Sequence, residues 1–384
     1  PRDVAGTEVQ RAPAAGARPA TVVEGVNAFG LDLLALLSGE SDANLVFSPF
    51  SIAMAFGMAD AGARGDTAAE IEETFGFPPG RSVHAGFDAL VQELARPMSP
   101  TLRVANRMYP AVGLDLEAAF VETLAERYGA PTERLDFVDE SEEARRRINA
   151  WVAERTEDRI PELLGGGAVT PETRLVLVNA LYLEAKWARG FGEYPTEDAP
   201  FTRLDGSTVD APLMEEAALE TSYFAGDGVT AVEIPYEDEE LSMLVVLPDD
   251  PAGFELDAPL LEAIDRGAAE GTVQLFLPRW STDSNVDLVE TLPRLGLATP
   301  FGPDADFGGI SPDAPPIGAA VHAANIDVDE EGTVAAAATA VAFATSGPPP
   351  PDAVVRADRP FVYLIRDRAT GVVLFAGRVT DPLS

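Results

Sequence analysis

Two imidazoles, His84 and His322, are the chain's whole supply of the side chain most used for proton transfer near neutral pH. A His-dependent hydrolase would set one of them against a nucleophile and an acid. Neither lies in a nucleophile motif and GxSxG is absent, so both read as hydrogen-bonded structural histidines. DVDEEGT, from Asp327, resembles a calcium loop at first sight, but its fifth position is Glu331 and its twelfth is Ala338. Without a bidentate Glu at the twelfth position such a loop cannot close on the ion. Arg64-Gly65-Asp66 spells an integrin-type tripeptide, yet its glycine has an adequate role in breaking a helix. The glycines at 165–167 lack the Lys and Ser/Thr of a phosphate loop. The chain has no cysteine, which removes thiol nucleophiles, disulfides and Cys-ligated metals. No metal or cofactor is expected. With no catalytic constellation in view, the weight moves to binding or conformational function.

The elements that must position any site divide by region. Residues 21–39 carry apolar side chains at helical spacing and end at Gly39. Ser48-Pro49 reads as a helix start, Gly62 and Gly65 as a break, and Thr67 with Glu70 as the capping box of the next helix. TLRVANRMYP reads as a strand, residues 114–128 as a helical run, and Ser141 as the start of an amphipathic helix. RLVLVNALYLEAKW reads as a strand buried on both faces. Short strands dominate from 200 to 278, and FVYLIRD with GVVLFAGRV forms a terminal hairpin. Helices early and strands late make an α+β chain. No composition shift or internal repeat divides the body, so one domain over 21–384 is expected, after a flexible tail over 1–20 rich in Pro, Ala and Gly.

Lys plus Arg number 27 and Asp plus Glu 64, a formal charge of −37, and Lys186 is the single lysine. Nucleic acid and anionic lipid, which need clustered positive charge, are not expected partners. Apolar runs such as LDLLALL are too short by themselves to cross a bilayer. The acidic surface fits a high-salt habitat or a GC-rich genome.

The least ordinary stretch is EEGTVAAAATAVAFATSG, residues 330–347, followed by four prolines. Alanine favours helix, but the segment has no charged face to keep a helix in solution. Its bulkier residues Thr333, Thr339, Val341 and Phe343 are odd-numbered, with only Val334 large among the even-numbered ones before Ser346, the period of a strand. HAANIDVDEE before it alternates like a strand, and Pro348 to Pro351 hold the far end extended. The segment therefore reads as a strand that still needs a sheet to enter.

At this point the sequence resembles the serpins (serine protease inhibitors), of the prokaryotic type, over nearly all of it after about Thr21. NLVFSPFSIAMAFGMADAGARGDTAAEI, INAWVAERTEDRIPELL, LVLVNALYLEAKWARGF, VEIPYEDEELSMLVVLP, LPRW, LGLATPFGPDADFGGIS, VHAANIDVDEEGTVAAAATA and RPFVYLIRDRATGVVLFAGRVTDP stand in the family order. The resemblance implies the serpin fold, helices packed on a large central mixed β-sheet plus two further sheets, with an exposed reactive-centre loop at about 330–354. It implies a serine-type endopeptidase inhibitor rather than an enzyme. The protease cuts the loop and is held as an acyl-enzyme while the loop enters the sheet as a new strand. An insert of about 14 residues at roughly 3.3 Å each spans about 45 Å, enough to cross a large sheet.

Residue by residue, the resemblance makes Glu330 the acidic residue at the loop base. Gly332, Thr333, Ala335, Ala336, Ala337 and Ala338 become the hinge. The scissile bond falls at Ser346-Gly347, with Thr345 as runner-up. Ser48, Ser51, Asn179 and His322 match the polar cluster beneath the sheet centre, and Trp187 the tryptophan where the loop enters. A small residue before the cut points to an elastase-like or subtilisin-like target, whose primary pocket is narrow. A monomer in an extracellular or cell-envelope location is expected. Val334 departs from the Glu common in the family, and Arg359 from a common histidine. The alternative, a non-inhibitory serpin used for binding or storage, would be favoured by a charged, bulky or proline-containing hinge, which is absent.

Overall fold

The protein was analysed as a computed structural model, which describes residues 18–80, 82–96, 101–192, 194–333 and 350–384. Helices α1 (Pro19–Glu40), α2 (Pro49–Asp60), α3 (Gly65–Thr74), α4 (Ser82–Leu94), α5 (Ala118–Arg127), α6 (Ser141–Arg155) and α7 (Ala258–Gly267) alternate with fourteen strands among the described residues. The early strands are β1 (Leu45–Phe47), β2 (Thr101–Pro110), β3 (Leu175–Lys186), β4 (Glu197–Thr202), β5 (Thr208–Gly226), β6 (Val229–Pro235) and β7 (Leu241–Pro248). The later ones are β8 (Ala269–Pro278), β9 (Trp280–Asp287), β10 (Val321–Val328), β11 (Gly332–Thr333), β12 (Ala353–Arg356), β13 (Phe361–Asp367) and β14 (Val373–Val379).

Five strands form one sheet in the order β2-β3-β11-β10-β9. Because β11 is antiparallel to both neighbours, β3 and β10 run in the same direction with one strand position between them. The remaining nine strands run β1-β14-β13-β7-β6-β5-β8-β12, with β4 on β5, so the two further sheets expected are continuous here through the 19-residue β5. The β12–β8 pair is parallel, and the β13–β14 hairpin is antiparallel as its alternation anticipates.

The period-two signal of HAANIDVDEE is met: His322, Ala324, Ile326 and Val328 are buried and the residues between them are half-buried. Strand β3 is covered on one face by α6, where Ile148 and Val152 cluster with Val178 and Tyr109, and it also meets α2. Helix α1 is, by length and composition, able to cross a bilayer, although LDLLALL is only part of it. It nevertheless buries Val22, Val26, Phe29, Leu33 and Leu34 in the main core.

Two local expectations need correction. The helical run at 114–128 yields a helix only over Ala118–Arg127. The Thr67–Glu70 capping box does not form: α3 starts at Gly65, and both side chains serve tertiary contacts. Thr67 Oγ1 accepts from Asp306 N at 2.8 Å, and Glu70 accepts from Ala298 N at 2.9 Å and Thr299 N at 2.7 Å. A loop over 200 residues away offered better-placed donors than the helix's own first turn. At Ser48 the local rule holds: its hydroxyl accepts from Ser51 N at 3.0 Å, with Pro49 opening the helix.

Candidate functional site

The site begins where β10 turns back on itself. Asp329 N donates to Gly332 O at 3.1 Å, and the Asp329 carboxylate accepts from Glu331 N at 2.8 Å and Gly332 N at 3.2 Å. Such Asx bonding fixes a tight turn locally. The would-be calcium carboxylates are thus occupied: Asp329 by backbone, Asp327 by Arg159 and Ser281. Among the described residues no group of three potential ligands could hold a metal ion.

Past the turn, Gly332 pairs with Lys186 and Thr333 with Ala185, while Thr333 also pairs with Val328. Two of the residues expected as hinge therefore already occupy the strand position between β3 and β10. Gly332 is required by contact: a Cβ there would lie 2.1 Å from Ala185 O and 2.7 Å from Lys186 Cα. Thr333 is 3% exposed, and its Oγ1 lies 2.7 Å from the hydroxyl of the fully buried Tyr236. Burial pushes the Tyr236 phenol far up, so it is present as a neutral hydroxyl.

Trp187 closes this end of the sheet. Its ring stacks on Tyr236 at 4.6 Å and 9°, its Nε1 donates to Asp329 O at 2.9 Å, and its backbone N donates to Glu331 O at 2.8 Å. Glu330, at the loop base, accepts from Thr196 Oγ1 and from Arg279. Burial works against its ionisation, but the hydrogen bonds from Arg279 and Thr196 prevail and hold its carboxyl below the ordinary value.

Lower in the same sheet, a polar chain crosses from β10 to β2. Ser48 N donates to His322 Nε2 at 2.9 Å, and Ser51 Oγ donates to Asn179 Oδ1. Asn179 Nδ2 donates to Asn106 Oδ1 at 2.7 Å, and Asn106 Nδ2 to Tyr128 O at 2.9 Å. Ser48, Ser51, Asn179 and His322 are thus brought together. Burial lowers the His322 pKa to about 4, so the ring is neutral at pH 7 with Nε2 as acceptor. Small cavities of about 20 Å³ open along the seam between β3 and β10. One is lined by Leu181, Leu183, Ile326 and Thr333, the other by Asn179, His322 and Ala324.

Ala335, Ala336, Ala337, Ala338, Thr345, Ser346 and Gly347 lie outside the described residues, as does Val334. Arg359, in place of the family's histidine, makes its own bond, Nε to Pro248 O at 2.8 Å. Sequence reasoning missed Tyr236, Arg279, Thr196 and Asn106. Tyr236 and Arg279 sit inside quoted motifs, VEIPY and LPRW, but nothing local marks their partners. The other histidine, His84, bonds Tyr128 through Nδ1 at 2.8 Å, away from the sheet seam.

Comparison with known proteins agrees with this geometry. The Serpin (serine protease inhibitor) family profile matches residues 24–382. The leukocyte elastase inhibitor of Bos taurus is 37% identical over 372 residues, 92% of this chain and 97% of that protein. A serpin-like protein of Thermococcus kodakarensis is also 37% identical, over 94% of this chain and 86% of that one. The crystal structure of Serpin48 of the insect Tenebrio molitor superposes with a TM-score of 0.80 at 30% identity, over 94% of this chain and 98% of that one. The expected extracellular or cell-envelope location is corrected by these relatives: the leukocyte elastase inhibitors belong to the intracellular branch of the family, and no export is assigned. With the fold and the match over residues 24–382 in agreement, the chain belongs to the serpin family and is a protease inhibitor, not an enzyme.

Proposed function

We propose that this serpin acts as a suicide substrate. A serine protease attacks the Ser346-Gly347 bond, with Thr345 as the neighbouring choice for the cut. It is then held as an acyl-enzyme while residues 334 onward follow Gly332 and Thr333 between β3 and β10. The observation that carries the reading is the position of β11: Gly332 is already paired with β3, and Thr333 with both β3 and β10. Propagation from that start is zipper-like, each further residue adding ladder bonds beside those formed. Ala335 to Ala338 suit the passage, since small side chains enter a narrow seam with the least rearrangement of the sheet.

Ser346 before the cut favours an elastase-like or subtilisin-like target, and the name of the Bos taurus relative, leukocyte elastase inhibitor, supports the first of these. The test is incubation with purified elastase-like, subtilisin-like, trypsin-like and chymotrypsin-like enzymes. The reading expects an SDS-stable complex with one of the first two. Mass spectrometry should place the attached carbonyl at Ser346 or Thr345. Loop cleavage by every enzyme with no covalent complex would refute it.

A further inference from the structure

Strand β12, just after the loop, stands at the end of the nine-stranded sheet and pairs with β8: Val354 lies opposite Gln274, Val355 opposite Leu275 and Arg356 opposite Phe276. Alternation divides this pair into two faces. Val355 and Leu275 face the core, 1% and 0% exposed. On the other face Val354 is 59% exposed, one of four large apolar side chains more than half exposed among the described residues. Beside it Phe276 is half-buried, with the Arg356 guanidinium 4.7 Å from its ring centre. The border is polar and already bonded: Arg356 pairs with Asp358 at 3.2 Å, and Gln274 donates to Glu215 at 2.7 Å. An apolar and aromatic centre, an arginine across it and a polar rim are the makeup of a protein-binding surface.

What covers this face follows from its place along the chain. Gly347, on the far side of the bond proposed for attack, is six positions before Ala353. That length of chain reaches at most about 21 Å. A protease of roughly 230 residues has a radius of gyration of about 17 Å, so its body is at least as broad as the tether is long. An enzyme engaging Ser346-Gly347 brings its rim down on the strand that receives the tether.

Resting on the suicide-substrate reading above, we propose that Val354, Phe276 and Arg356 form a second contact surface for the body of the target protease, outside its substrate cleft. The loop supplies the residue for the primary pocket. This face selects among enzymes whose pockets accept the same small residue, favouring a rim that is apolar and offers acceptor oxygens to Arg356. The contact acts on docking and not on insertion, because β12 belongs to the nine-stranded sheet and the new strand enters the other, between β3 and β10.

The test uses an elastase and a subtilisin whose nucleophilic serine is replaced by alanine, so that docking is read without cutting. Calorimetric titration of the uncleaved full chain should show saturable binding of at least one. Val354→Glu should weaken it about tenfold, by placing a charge in the apolar centre. Arg356→Ala should weaken it about threefold, and decides if Val354→Glu fails to fold. Val138→Glu should leave it unchanged: that valine, 58% exposed, follows Leu135, whose N bonds Pro110 O at the end of β2 remote from the hinge. With active enzyme, the Val354 and Arg356 variants should form complex more slowly by the same factors, with the fraction of protease captured unchanged. Loop cutting with no covalent complex would refute the suicide-substrate reading and leave the docking measurement intact. Covalent capture at undiminished affinity and rate in both variants would refute the docking surface alone. Saturable binding of neither enzyme, or a detached peptide of residues 340–352 binding as tightly as the full chain, would also overturn it. So would a change in sedimentation of the free chain on Val354→Glu, which would assign the face to a second copy.

Discussion

His322→Gln probes the polar cluster under the sheet directly. His322 is 8% exposed on β10, and its Nε2 accepts from Ser48 N, at the head of α2, at 2.9 Å. Protonation would put a hydrogen where Ser48 N–H now points, turning an acceptor into a donor and loosening β10 from α2. Burial depresses the pKa from 6.5 to about 4. Between these values the unfolded chain binds the proton and the folded chain does not. The stabilising contribution is therefore complete above pH 6.5 and is lost as pH falls to about 4. A shift of that size is worth about 3 kcal/mol. Glutamine offers a neutral acceptor that does not titrate. Denaturant unfolding of the uncleaved protein and the variant across this pH range isolates the term as their difference, since the other titrating groups are common to both. The difference should move by about 3 kcal/mol against the wild type on acidification, in line with the pKa shift. A flat difference would refute the buried, neutral histidine and its tether to Ser48.

Further outcomes follow from other contacts. Asp60→Asn should show the opposite slope: with its folded pKa raised to about 7, the acid's contribution is complete below its ordinary value and is lost as pH rises through about 7, so stability of the wild type relative to the variant should fall on alkalinisation. Tyr236→Phe or Thr333→Val alone leaves a buried hydroxyl without its partner and should cost about 1–3 kcal/mol, whereas the double variant should cost less than the sum; strict additivity in denaturant unfolding would contradict the 2.7 Å bond. Gly332→Ala drives a Cβ into Ala185 O and Lys186 Cα, backbone that no rotamer change can clear. Hydrogen exchange at Thr333 should accelerate and the fraction of protease captured should fall; unchanged exchange would count against the seated hinge.

How much of this was legible beforehand depended on the range of the interaction. The Ser48 cap and the alternation of β10 are carried by neighbouring residues, and both were visible. The Asp329 turn is local too, but its acidic spacing was first weighed as a metal loop, because carboxylates that cap backbone amides look the same in sequence as carboxylates that bind ions. Thr67 and Glu70 had the right spacing for a capping box and lost it to Asp306, Ala298 and Thr299, donors that only the folded chain delivers. Tyr236 against Thr333, and Arg279 against Glu330, are separated by tens of residues, and no period or composition links them. The roles of Ser48, Ser51, Asn179 and His322 came from family resemblance. What the fold added is the continuous hydrogen-bonded path, through Asn106 to Tyr128, that joins them.

The central claim is that the uncleaved protein holds its sheet one strand short of its most stable arrangement, with the hinge waiting at the opening. Cutting the loop near Ser346 with a catalytic amount of protease, and comparing thermal unfolding before and after, tests this most directly. The account predicts that the nicked protein stays folded well above the temperature at which the intact protein unfolds. An unfolding temperature unchanged or lowered by the cut would contradict it.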